Sequence, residues 1–330
     1  MGEALRERGV SVTFAGSPDR VEARLAPEAG FDFDAFSISG FPRRPGVRLL
    51  GSLVQAGRAP VACGRIIARR KPDIVLGGGG YVSGPMVYSA WLHRVPSALM
   101  EADAHLGLAN RLAAPFARRV FLAYPLEGRG GAKYRVVGRP VRRAEAVSAE
   151  EGRRRFGLPD RGPVLLVFGG SQGAQALNDA VVEAFGAAGP AVLHLCGERY
   201  EDELRRRVSR SDYVLLPWTD DFSAALAACD LVVARAGGSV WEVAAAGKPA
   251  VLVPSPNVTA DHQTKNARYF ERGGGAVVVP ELELGRMPEL VRSLLGDGRR
   301  REQMASAMRS LARPDAAAVI AEELIALARA

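Results

Sequence analysis

The sequence predicts an α/β protein with two domains, each built on a parallel sheet. Three observations carry this. Short apolar runs alternate with amphipathic stretches along the whole chain, the pattern of parallel strands joined by crossover helices. Two of those runs end in glycine turns that open helices, VLGGGGYVSGP at 75–85 and VFGGSQGAQALN at 167–178, one in each half. The length of 330 residues suits two domains at roughly 150 residues each.

In the first half the expected strands are VSVTFAG (11–17), PDIVLG (72–77), VPSALM (95–100), RVFLAYP (119–125) and YRVVG (134–138). In the second half PVLLVFGG, AVLHLCG, DYVLLPW, LVVARAGG and PAVLVPSP repeat the rhythm from 163 to 256. GRPVRRAEAVSAEEGRRRFGLPDRG between them is polar and charged, which places the boundary near 139. The expected organisation is 1–139, 140–312, and a last helix over 313–330 that packs back on the first domain.

With 48% hydrophobic and 24% charged residues the chain has the composition of a folded globular protein. No apolar run approaches the ~18 residues that span a bilayer, and MGEALRERGV lacks the apolar core of a signal peptide. Cys63, Cys196 and Cys229 have no CxxC spacing, so neither a disulfide framework nor structural zinc is indicated, and they are expected to be buried as small hydrophobes. The net charge of +8 admits an anionic partner. Only four lysines stand among 44 basic residues, so arginine-rich codon usage accounts for the excess equally well. No zinc-finger spacing or aromatic sheet motif points to nucleic acid.

Neither glycine turn is followed by GK[ST], and Phe168 stands where GxGxxG needs its first glycine. The remaining physics is general: Gly169, Gly170 and Gly173, and Gly78, Gly79 and Gly80, let backbone amides approach an anion, and a helix beginning at Ser171 or Gln172 adds its positive end. A diphosphate suits such a place; a tight strand-to-helix turn with no ligand explains the glycines too. RAGGSVWEVAAAGKPAVLVP offers Ser239 as a helix cap and puts Glu242 in the first turn, where it either receives a ribose diol or closes a capping box with Ser239. Asp261, His262, Gln263 and Asn266 open a further helix after Pro254 and Pro256, a polar cluster of the kind that reads a sugar.

Together GGGGYVSGP, GGSQGA, RAGGSVWEVAAAGKPAVLVP and DHQTKNA resemble the MurG family of bacterial transferases, glycosyltransferase family 28. The resemblance covers almost the whole chain. It implies a GT-B fold, two Rossmann-like domains facing a cleft, with UDP-N-acetylglucosamine mainly on the C-terminal one. It also implies peptidoglycan synthesis at the cytoplasmic face of the membrane, with the sugar passing to undecaprenyl-diphosphate-linked muramoyl-pentapeptide, and no cofactor or metal. By that analogy Ser171 contacts the diphosphate, Arg142 lies near it, Glu242 holds the ribose, Thr219 meets the uracil, Gln263 meets sugar hydroxyls, and Gly238 and Ser239 belong to the donor site.

The sequence departs from the family in three places. MEAD stands where HEQN is usual, so Glu101 is kept while Asp103 replaces an asparagine expected to touch the donor. RAGGSVWE is one residue shorter than the common form. The family's first strand and GGTGGH loop have no counterpart, for GEALRERG reads as the end of the first helix. That strand is central in a doubly wound sheet, so its omission is expected to leave neighbours with unpaired backbone groups, and the chain to bind donor but transfer poorly.

The implied reaction is inverting: an acceptor hydroxyl attacks the anomeric carbon opposite UDP, a base takes the proton, and helix N-termini with Arg142 stabilise the leaving diphosphate. Glu101 and Asp103 are the candidate carboxylates near the acceptor. Residues 46–71, with Leu49, Leu50, Val54, Arg48, Arg58, Arg65, Arg69, Arg70 and Lys71, form either a basic segment for an anionic lipid surface or a pair of core helices. Competing readings are a GT-B transferase for diacylglycerol or a natural product, a nucleotide-sugar epimerase, and a chain that binds UDP-sugar without turnover.

Overall fold

A computed structural model describes residues 1–38, 47–142, 146–170 and 172–330, with the backbone alone for 47–56. The chain divides into two compact units, Met1–Pro140 together with Asp315–Ala330, and Val141–Pro314. Both are parallel α/β units.

The first unit contains β1 (Thr13–Gly16), β2 (Asp32–Ala35), β3 (Val75–Gly77), β4 (Ser97–Glu101), β5 (Arg119–Leu122) and β6 (Tyr134–Val136). Its helices are α1 (Gly2–Arg6), α2 (Glu22–Glu28), α3 (Val47–Arg70), α4 (Gly80–Leu92) and α5 (Leu108–Ala113). Its strands form two parallel sheets, β1-β2 and β3-β4-β5-β6, so that among the described residues β1 pairs only with β2 and β3 only with β4. The C-terminal helix Ala316–Arg329 packs Ile320 and Leu324 against Ala98, Phe121 and Val137. Each such buried aliphatic side chain contributes ~1.5–3 kcal/mol. Glu323 on the same helix reaches Arg119 at 3.4 Å and Arg135 at 3.1 Å, tying helix to sheet.

Residues 47–70 form one helix, where the sequence allowed a pair, and it continues through Pro60. At its end Arg70 grips Asp34 through Nε at 2.8 Å and Asp32 through Nη1 at 2.7 Å, while Arg69 reaches Asp34 at 2.6 Å. Asp34 is buried at the end of the short strand β2, so these cations supply the partners that make its charge tolerable there.

The second unit has β7 (Val164–Phe168), β8 (Ala191–Leu195), β9 (Tyr213–Leu216), β10 (Leu231–Ala234), β11 (Ala250–Leu252) and β12 (Ala276–Val278). Its helices are α6 (Ala149–Arg155), α7 (Gln175–Phe185), α8 (Glu201–Arg205), α9 (Phe222–Ala228), α10 (Val240–Ala245), α11 (His262–Arg272), α12 (Met287–Gly296) and α13 (Gly298–Leu311). The strand order is β12-β11-β10-β7-β8-β9, parallel throughout. Near-continuous apolar strands fit a sheet covered on both faces. Leu165, Val167, Leu231 and Val233 meet Leu177, Val181 and Phe185 of α7 and Met287, Val291 and Leu294 of α12.

The Asp34 cluster sets an acid limit for the first unit. The side-chain hydrogen bond from Arg70 holds Asp34 below the ordinary aspartate value of 3.8. A depressed carboxyl contributes stability above its unfolded value and loses it as pH falls through the folded one. Asp34→Asn is therefore expected to lower the melting temperature by a constant amount above pH ~5, with the gap to wild type closing only below 3.8. Thermal melts of both proteins from pH 7 to 2.5 check this; a gap that closes by pH 5 contradicts it.

Candidate functional site

Strand order in the second unit reverses direction between β10 and β7. In open parallel sheets the crevice beyond the carboxyl ends of the strands at such a point is where ligands bind. The chain places two of its polar motifs there: Gly169–Ala174 follows β7, and Arg235–Ser239 follows β10. The segments after β9, with Thr219, and after β11, with Gln263, leave the same edge of the sheet.

The glycine turn has a demanding geometry. Gly170 and Gly173 have φ of +90° and +69°, a region that L side chains rarely adopt. A Cβ on Gly173 would overlap the carbonyl oxygen of Cys196 and lie 2.8 Å from the Tyr200 ring, whereas nothing lies within 4 Å of one on Gly170. The Gly173 N–H closes the turn on the Gly170 carbonyl at 2.9 Å. Ala174 is still extended, so α7 begins at Gln175 rather than at Ser171 or Gln172 as expected: two left-handed glycines postpone the first helical residue. Ser171 lies outside the described residues.

Ser239 precedes α10 but makes no capping bond through its side chain. Its φ of −63° and ψ of −15° are already helical, and a capping oxygen needs the extended conformation to reach back to the helix amides. The proposed capping box is thus absent in its Ser239 half, while Glu242 stands half-buried in the first turn. Gly238 is half-buried in the turn before it. Gln263 is pulled toward the loop after β11, its Oε1 accepting the Ser255 N–H at 2.9 Å. Asn266 is turned inward, donating to the Ala236 carbonyl at 3.1 Å, so it ties α11 to the Arg235–Ser239 turn and stands apart from the polar cluster expected of it. Ala260 and Asp261 take φ of +54° and +50° immediately before α11, two consecutive strained residues of a kind concentrated at functional sites. Thr219 accepts the Asp221 N–H at 3.1 Å and so joins the cap of α9, and Arg142 is exposed at the start of the unit.

Arg235 escaped the sequence reading. It donates to the Val253 and Pro254 carbonyls at 3.3 Å each and pairs with Glu281. With Gln175, Ala176, Asp179 and Asn257 this pair lines a groove of about 400 Å³ beside the switch point. The signal was an arginine directly after the apolar strand LVVA, where a charge at a sheet's carboxyl edge has a ligand or a loop to hold.

In the first unit, β3 and β4 are neighbours, so Gly78–Gly80 and Glu101–Asp103 leave adjacent strand ends. The Gly79 N–H is already received by Ser83 Oγ at 2.7 Å, and that hydroxyl donates back to the Gly79 carbonyl. Glu101 is buried, and its carboxylate accepts from the Gly107 N–H at 2.9 Å, Asn110 Nδ2 at 2.9 Å and the Asp103 N–H at 3.3 Å. It fastens the 102–107 loop, on which Asp103 is half-buried.

Two units of parallel α/β structure, the second with a glycine turn at its topological switch, define the nucleotide-binding class of α/β proteins. Comparison with known families narrows that class. Residues 1–122 match the glycosyltransferase family 28 N-terminal domain and residues 164–320 the glycosyltransferase family 28 C-terminal domain. A protein of Rubrobacter xylanophilus named UDP-N-acetylglucosamine–N-acetylmuramyl-(pentapeptide) pyrophosphoryl-undecaprenol N-acetylglucosamine transferase is 42% identical over 100% of this chain and 99% of its own length. A protein of the same name from Salinibacter ruber is 40% identical over 96% of this chain and 88% of its own. The crystal structure of Acinetobacter baumannii MurG superimposes with a TM-score of 0.79 at 26% identity, covering 98% of this chain and 94% of that one. The UDP-GlcNAc 2-epimerase of Neisseria meningitidis, at 13% identity and a TM-score of 0.65 over 98% of this chain and 94% of that one, shares the fold. The chain belongs to glycosyltransferase family 28.

The two glycines of the turn should respond differently to a methyl group. Gly170→Ala costs about 1–2 kcal/mol for backbone strain alone. Gly173→Ala adds the overlap with Cys196 and costs about 2–5 kcal/mol. Urea unfolding of the two variants measures this, and equal losses would mean that the turn yields freely.

Proposed function

We propose that the chain transfers N-acetylglucosamine from UDP-N-acetylglucosamine to undecaprenyl-diphosphate-linked muramoyl-pentapeptide, converting lipid I to lipid II in peptidoglycan synthesis. The observation that carries this is the meeting of the glycine turn and the Arg235–Glu242 segment at the switch point of a chain 42% identical, end to end, to a transferase named for that reaction. UDP lies across the carboxyl edge of the second sheet: the Gly169–Gly173 turn and Ser171 take the diphosphate, with Arg142 beside it, Glu242 takes the ribose and the Thr219 segment the uracil. Gln263, held at one end by Ser255, turns its amide to the sugar. The acceptor hydroxyl attacks the anomeric carbon from the opposite face. Glu101 has both oxygens engaged by the loop it fastens, so it acts as an anchor, and Asp103 on that loop is the carboxylate we assign to the acceptor hydroxyl.

The lipid acceptor brings the first unit to the membrane surface as a peripheral protein on the cytoplasmic face. Among the described residues no helix is long and apolar enough to cross a bilayer. On α3, Arg58, Val61 and Arg65 are exposed, and on α4, which packs against it, Trp91 and Leu92 are exposed too. Arg69 and Arg70 are committed to Asp32 and Asp34, which leaves Arg58, Arg65 and Lys71 as the described cations of this segment that face lipid phosphate.

Three measurements test this reading. Glu242→Ala should weaken UDP binding by calorimetry by the ~1.5–3 kcal/mol of a charge-assisted hydrogen bond, roughly 10- to 150-fold; unchanged affinity removes Glu242 from the ribose. Product analysis with lipid-linked muramoyl-pentapeptide against diacylglycerol then separates the acceptors. Co-sedimentation with anionic vesicles should fall away as salt rises toward 1 M, where the Debye length is ~3 Å, and Arg58→Glu with Arg65→Glu should reduce it at low salt. Binding indifferent to both would place the lipid contact elsewhere.

A further inference from the structure

Beneath the glycine turn of the second unit lies a chain of buried polar groups that no donor contact explains. Asn178 on α7, His194 on β8 and Tyr213 at the start of β9 are all buried. Asn178 Nδ2 lies 2.9 Å from the Cys196 carbonyl, Asn178 Oδ1 lies 3.0 Å from His194 Nε2, and His194 Nδ1 lies 2.8 Å from the Tyr213 hydroxyl.

One backbone atom fixes the direction of every bond. The Cys196 carbonyl only accepts, so the asparagine must present its NH₂ there and its oxygen to the histidine. His194 must then carry its proton on Nε2, which leaves Nδ1 to accept from Tyr213. Burial pushes His194 down to about 3, so the imidazole stays neutral and this tautomer stands throughout the physiological range. Each buried polar group has its partner, the condition under which such a network rigidifies its surroundings.

What it rigidifies is the Cys196–Gly197 turn. That carbonyl is the atom against which Gly173 packs with no room for a side chain, and a Cβ on Gly197 would lie 2.8 Å from the Gly173 nitrogen. The same turn is bonded forward to the end of β9, Cys196 N–H to the Leu216 carbonyl and Gly197 N–H to the Pro217 carbonyl, both at 2.9 Å. Asn178 thus fastens the first turns of α7 to a backbone junction that touches the glycine turn on one side and leads into the Thr219 segment on the other.

We infer that Asn178, His194 and Tyr213 are positioning residues for the nucleotide: they hold the Cys196–Gly197 turn, and through it the Gly169–Gly173 turn, where the backbone amides meet a nucleoside diphosphate. This rests on the donor site proposed above. A network that served only global stability would lower the melting temperature without any particular effect on UDP.

The full chain is titrated with UDP by calorimetry, beside thermal melts. Asn178→Asp puts an acceptor against the Cys196 carbonyl, and His194→Asn loses the donor at the Nε2 position; each should weaken UDP binding roughly ten-fold, the scale of a broken buried hydrogen bond. His194→Gln keeps an N–H where Nε2 stood and gives up only the acceptor at Nδ1, so its loss should stay near the roughly three-fold expected when the Tyr213 bond alone is broken, well short of that of His194→Asn. If the two histidine variants weaken UDP equally, or if Asn178→Asp lowers the melting temperature and leaves UDP affinity intact, the positioning role is wrong. Should Asn178→Asp fail to fold, Tyr213→Phe decides: it removes only the hydroxyl and should weaken UDP roughly three-fold, and unchanged affinity overturns the inference. A wild-type chain that binds no UDP sinks the donor site instead. The network is then judged by hydrogen exchange at the Gly173 and Ala174 amides, which should be faster in His194→Asn than in His194→Gln, and equal rates reject it.

Discussion

The second unit is organised around a contact that only a hydrogen atom allows, the Cα of Gly173 set against the carbonyl oxygen of Cys196. Two loops leaving neighbouring strands, β7 and β8, are thereby pressed backbone to backbone, and the space normally taken by a side chain goes to the approach of main chain. The helix that follows starts late and uncapped by any side chain, which leaves its first amides facing the sheet's carboxyl edge. The parallel sheet brings the other motifs to the same edge without further cost, because every strand ends there.

Regular elements were legible wherever an apolar run was bounded by turn residues. The core strands β7, β8, β10 and β11 fall within the runs read from 163 to 256, since a strand buried on both faces has little choice of composition. β2 was missed because DFDA alternates acid with apolar residues, and Asp34 is buried only through arginines some 35 positions away in the chain, a pairing no local pattern reveals. Boundaries failed at glycine: the start of α7 depended on the sign of φ at Gly170 and Gly173, which composition does not carry. Side-chain direction was the least legible property of the site. Asn266 and Gln263 lie three residues apart on one helix, yet one is locked inward to Ala236 and the other bends to Ser255. Arg235 escaped notice because its partners come from the residues just after β11 and from the segment around Glu281.

The arginine excess has a structural use that net charge conceals. Arg153 reaches Asp230 at 2.9 Å, Arg155 reaches Asp221 at 2.6 Å and Arg210 reaches Asp212 at 2.7 Å. Hydrogen bonds from Arg155 and Arg210 hold Asp221 and Asp212 below the usual carboxylate range. The planar guanidinium fork spans a carboxylate and several carbonyls at once, as Arg210 does with Phe185, Gly189 and Pro190, so these residues sew loop to strand in a way lysine would not. A count of basic residues therefore overstates the charge the protein presents to a partner.

The three cysteines are free and buried, and burial pushes the thiols of Cys63, Cys196 and Cys229 up to about 12, 11 and 12. Since the thiolate is the reactive species, the native protein is chemically silent toward alkylating reagents near neutral pH, and modification must wait for the fold to open. Cys63 belongs to the first unit and the other two to the second, with Cys196 against the Gly173 turn and Cys229 at the end of α9. The chain thus carries its own chronometer: the order in which its thiols become modified is the order in which its parts come undone.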